Sequence, residues 1–166
     1  MRSNQIDSHT RQKHLLRAIL AVYVLLMIRL VVFKYPMEEL QQIAAAWDKA
    51  VVLEGLDTAN FTPFKTIKMY IRYYNRLNSF ENLFGNILVF IPFGFLLPYA
   101  FHKLKNVLYT FGITLLFVSG IEVFQLFSAF GAFDVDDFIL NCFGSILGYM
   151  IACCCQTIQK NTSKLY

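Results

Sequence analysis

Charged residues are scarce in this chain. Asp, Glu, Lys and Arg supply 16% of its 166 residues, against about a quarter in soluble domains. That shortage argues against an ordinary soluble domain. Cysteine is equally sparing, confined to Cys142 and the run Cys153, Cys154, Cys155. Without a C-x-x-C spacing these frame neither a disulfide scaffold nor a zinc site. No G-x-S-x-G, H-E-x-x-H or P-loop occurs, so the motifs of soluble catalysis are missing as well. The net charge of +4 is small and scattered, which excludes a nucleic-acid binder. Disorder is excluded too, because 17 Phe and 9 Tyr are far too many for it. What the chain has is hydrophobicity, with 57% apolar residues and a mean hydropathy of +0.48. A small integral membrane protein remains.

A helical span needs about 20 apolar residues. Four segments qualify, at about 15–33, 82–101, 107–127 and 138–158. The first holds Arg17 and Arg29, the third a single charge at Glu122, and the others none. The basic residues before the first span resemble a signal peptide, but Lys34-Tyr35-Pro36-Met37-Glu38 offers no small-residue cleavage pattern. It reads as an uncleaved anchor. Arg2, Arg11, Lys13 and Arg17 precede span one, Lys103 and Lys105 separate spans two and three, and Lys160 and Lys164 follow span four. The loop between spans three and four carries no Lys or Arg, but has Asp134, Asp136 and Asp137. The alternation predicts both termini in the cytoplasm. The expected architecture is an all-α integral membrane protein, a four-transmembrane-helix bundle forming one domain over 1–166.

The long extracytoplasmic connection between spans one and two is expected to be partly helical and amphipathic. Met37 to Leu56 reads as one helix. Phe64 to Phe80 reads as another, with Ile67, Tyr70, Ile71 and Tyr74 opposite Lys65, Lys68, Arg72 and Arg76. Such a helix either lies in the headgroup region or caps the bundle as a solvated helix. Asn60-Phe61-Thr62-Pro63-Phe64 separates the two, since Pro63 disfavours helix at Thr62.

An ionisable residue inside a span costs about 2.5–3.5 kcal/mol on insertion scales. Glu122 therefore needs a reason. Ser119, Glu122 and Gln125 share one face of span three, Asn82 and Asn86 repeat at i, i+4 in span two, and Asn141 lies above Ser145 in span four. All fall in the outer half, beneath Asp134, Asp136 and Asp137. They form either a polar clamp holding three helices in register or a pocket for a headgroup or polar ligand. Arg29 falls at the depth of Glu122; it either pairs with it or snorkels to the outer headgroups. Paired carboxylates can do acid–base work, but His9, His14 and His102 map to the other side of the membrane. Binding is expected ahead of catalysis. No metal or cofactor is called for. Pro92 is expected to kink span two. Gly144 and Gly148 make a G-x-x-x-G face that suits helix docking, within the chain or to a partner. The cysteine run reads as apolar filler.

Several of these segments, in this order, resemble the VanZ-like family: Asn60 to Phe64, Asn86-Ile87-Leu88-Val89-Phe90-Ile91-Pro92-Phe93-Gly94, Ile121-Glu122-Val123-Phe124-Gln125, and Asp134 to Asn141 with Gly144 and Gly148. The resemblance covers about 60–150. Many members carry an Arg after the glycine where this chain has Gly131-Ala132, which removes a cation from the expected site. The resemblance implies a multi-pass protein of the bacterial plasma membrane linked to resistance against teicoplanin-type glycopeptide antibiotics. Its expected partner is a membrane lipid, a lipid-linked cell-wall precursor or the lipidated antibiotic itself. The family motif positions Asn86, Glu122, Gln125, Asp134, Asp137 and Asn141 coincide with the polar cluster.

Overall fold

Hydrocarbon offers no hydrogen-bond partner to a backbone, so apolar runs of this length must close their own hydrogen bonds as helix. The computed structural model describes residues 2–73, 79–101 and 106–162. Among them lie seven helices: α1 (Arg2–Val31), α2 (Met37–Ala45), α3 (Lys49–Thr58), α4 (Lys65–Arg72), α5 (Ser79–Ala100), α6 (Val107–Ser128) and α7 (Val135–Thr162). Four of them, α1, α5, α6 and α7, are long and apolar enough to cross a membrane. These are the four expected spans, the last beginning three residues earlier than hydropathy suggested. Lys103, Lys105 and Lys164, used in the charge count, lie outside the described residues.

The spans alternate in direction. On α1, Tyr23 donates its hydroxyl to the Val89 carbonyl at 2.7 Å and Arg17 its Nε to the Ala100 carbonyl at 3.2 Å. Those two bonds fix α1 antiparallel to α5. The Thr114 and Ser145 hydroxyls meet at 2.7 Å and set the register of α6 against α7. Helices α5 and α7 run parallel and form the most extensive pair. Glycine permits this: a Cβ at Gly144 would fall on the Ile87 carbonyl, and one at Gly148 on the Ile91 carbonyl. The G-x-x-x-G face is thus filled by α5 of the same chain. Apolar burial is shared among three spans, through Met27 of α1, Phe90 and Phe93 of α5, and Val118 and Ile121 of α6. Helix α5 remains helical through Pro92 and Pro98.

The connection differs from the expected single helix over Met37 to Leu56. It breaks into α2 and α3 because the Asp48 carboxylate accepts hydrogen bonds from Ala50 N at 2.8 Å and Val51 N at 3.1 Å, starting a new helix. Helix α3 lies across the end of α6, where Trp47 Nε1 donates to the Phe127 carbonyl at 2.7 Å. Helix α4 covers the first half of the expected Phe64 to Phe80 helix; residues 74–78 lie outside the described residues. The connection therefore folds back onto the end of the bundle where α6 meets α7.

Candidate functional site

The first turn of a helix leaves backbone N–H groups unsatisfied, and the start of α7 answers this with aspartates. Asp134 Oδ1 accepts from Asp136 N at 2.8 Å. The same oxygen accepts from Asn60 Nδ2, also at 2.8 Å. Asn60 N donates to the Phe133 carbonyl at 2.8 Å and Val135 N to the Asn60 carbonyl at 2.9 Å. This pairing, an isolated parallel bridge between Asn60 and Asp134, docks the Asn60 to Phe64 element beside the aspartate loop.

Asp136 is fully buried and caps a different helix. Its carboxylate accepts from Phe64 N at 2.5 Å, Thr66 N at 2.7 Å and Ile67 N at 3.0 Å, satisfying the first turn of α4. Phe64 adopts φ 63, a left-handed conformation rare for a bulky side chain. The Asp136 contact holds it there.

With Asp134 and Asp136 so engaged, Asp137 turns toward the bundle, where Asn86 Nδ2 donates to its Oδ1 at 2.6 Å. Glu122 is 1% exposed and its Oε2 accepts from Asp134 N at 2.9 Å. Continuing the Thr114–Ser145 register by two turns brings Glu122 level with Asp137, with Asn141 one turn below. Asn141 is also 1% exposed. Neither its Oδ1 nor its Nδ2 has a hydrogen-bond partner. Gln125 donates from Nε2 to the Val31 carbonyl at 3.2 Å, tying α6 to the end of α1, while its Oε1 is buried and unpartnered.

The electrostatics follow from that crowding. Glu122, Asp134 and Asp137 repel one another, and the cation that draws on both Glu122 and Asp137 is Lys34. On the connection, burial and then the charges of Asp137 and Asp134 hold the Tyr70 phenol above its ordinary pKa, against an opposing hydrogen bond from Asn82. Among the described residues no group of three or more His, Cys, Asp or Glu is placed to hold a metal ion.

Of the residues singled out from sequence, Asn86, Glu122, Asp134 and Asp137 are joined by contacts. Asn141 lies one turn from Asp137, and Gln125 lies one turn from Glu122. Asn82 is exposed at the rim, beside Tyr70 and outside the contacts that join the group. Of the two alternatives for Arg29, the side chain takes the exposed one and forms no ion pair with Glu122. Met27, two residues earlier, is fully buried, so at about 100° per residue Arg29 points away from the bundle. Asn60, Asp136, Tyr70 and Lys34 were not foreseen as parts of this site. Asn60 and Asp136 lie in the motifs quoted above, but their partnership is long-range and only the fold reveals it.

Four apolar spans enclosing amides and carboxylates at one end define a multi-pass helical membrane protein. The model of the VanZ/LLP1 family matches residues 20–156. Protein VanZ of Enterococcus faecium is 31% identical over 136 residues, which cover 82% of this chain and 72% of that protein. The chain belongs to the VanZ/LLP1 family. No solved structure matches it.

Proposed function

We propose that this chain is a non-catalytic binding protein of the bacterial plasma membrane that contributes to resistance against teicoplanin-type glycopeptides. Its polar cluster opens outward, with the connection extracytoplasmic and both termini cytoplasmic. There it engages the polar part of a membrane lipid, a lipid-linked wall precursor or the lipidated antibiotic. The observation that carries this reading is Asn141, whose two amide atoms are buried and unpartnered between helices. A clamp would use them; leaving such a group unsatisfied costs about 1–3 kcal/mol, which contact with a ligand offsets. Beside it, carboxylate oxygens outnumber donors, so the ligand is one that supplies N–H or O–H groups or positive charge. The distribution of Lys and Arg along the chain supports the orientation, and family membership supports the setting.

A second reading, acid–base catalysis on a lipid-linked substrate, draws on Glu122 and Asp137 lying level across α6 and α7. The test is resistance in a glycopeptide-susceptible host producing Glu122→Gln at the wild-type membrane level. Resistance is expected to fall to that of cells without the protein. Undiminished resistance would overturn the proposal. Turnover of a lipid-linked wall precursor by the purified wild type, lost in Glu122→Gln, would replace it with the enzymatic reading.

A further inference from the structure

Beside the Gln125–Val31 bond, α1 and α6 diverge and leave an apolar cleft of about 540 Å³ between them. Ile28 and Val32 form one wall; Ile113, Leu116, Gly120 and Ile121 form the other. Aromatic rings close the end nearest the connection, with Phe33 6.2 Å from Phe124 and 5.8 Å from Phe130 between centroids. The volume lies within the range of about 300–1,000 Å³ typical of ligand sites. Most of the lining belongs to helices of membrane-spanning length and composition, so hydrocarbon is the medium that meets the opening. A flexible chain of methylene groups, thinner than a helix of about 10 Å diameter, fits a cleft of this size.

We propose that the α1–α6 cleft is a binding site for one acyl chain of a bilayer phospholipid, which fills the gap and holds α1 against α6. The site is separate from the polar cluster and does not depend on what that cluster binds. Gly120 sets its depth. A Cβ there would meet nothing within 4 Å, so a larger side chain at 120 enters the cleft without displacing backbone. Gly112, two turns earlier on the same helix, is equally open but lines no part of the cleft.

The experiment is native mass spectrometry of the full chain extracted into mild detergent from membranes of known phospholipid composition. One phospholipid is expected to remain bound per chain. Gly120→Leu should reduce that occupancy at least fivefold, as should Ile113→Phe, a second filling variant that guards against misfolding of the first. Gly112→Leu should leave it unchanged. No retained phospholipid in the wild type would overturn the proposal. So would retention insensitive to both filling variants, or a second copy of the chain, lost on Gly120→Leu, in place of the lipid.

Discussion

Replacing Asn141 with Leu separates a ligand site from a structural clamp. The amide is 1% exposed and lacks a partner for either polar atom. Removing an unsatisfied buried group recovers about 1–3 kcal/mol in water-soluble proteins. Polar contacts between membrane helices average nearer 0.6 kcal/mol, and the bulkier Leu enters a site that is itself 1% exposed, so a small packing cost opposes the gain. The net expectation is a stabilisation on the order of 1 kcal/mol, which at this chain length is a rise of about 2–4 °C in the melting temperature. Resistance should nevertheless be lost, because the ligand loses its amide. Thermal unfolding in detergent and susceptibility assays at matched protein levels read the two quantities. A loss of more than 1 kcal/mol would refute the reasoning and make the amide a clamp. A stabilised protein with intact resistance would refute the ligand role.

Other substitutions test the frame around the site. Asp136→Ala removes the acceptor of three backbone N–H groups. At about 1.5–3 kcal/mol for a hydrogen bond to a charged group, a loss of at least 2 kcal/mol is expected. Limited proteolysis should then cut within 60–73, and an uncut connection would show that α4 docks by other means. Gly148→Leu drives a side chain into the Ile91 carbonyl and should cost about 3 kcal/mol or more, the upper end of the usual scale of overpacking, because the obstacle is backbone. A normally folded Gly148→Leu would mean that α5 and α7 do not meet at backbone contact.

The four spans were legible from hydropathy because a bilayer imposes length and composition on any helix that crosses it. The polar cluster was legible for the same reason: Glu122, Asn86 and Asn141 are costly in such segments and so mark themselves. What sequence could not supply was phase and long-range pairing. The three aspartates at 134, 136 and 137 look alike in one dimension. Their division into an α7 cap, an α4 anchor and a bundle-facing group depends on where α7 begins and on the Asn60 bridge. For Arg29 the sequence set depth but not azimuth, so pairing and snorkelling both stayed open; the fully buried Met27 fixes α1's rotation, and only packing reveals it. Gly144 and Gly148 signalled close approach but could not say whether the partner was α5 or another chain. Asp48 could have been read as a helix start, being a capping residue type within the expected helix.

Whether the cluster binds anything is decided most directly by titration. Protein in phospholipid nanodiscs should be titrated separately with teicoplanin and with an undecaprenyl-linked wall precursor, alongside Glu122→Gln and Asn141→Leu. Saturable binding of at least one probe to the wild type, weakened at least tenfold in both variants, is the expected result. Absence of saturable binding to either probe, or equal affinity in all three proteins, would contradict a ligand site at Glu122 and Asn141.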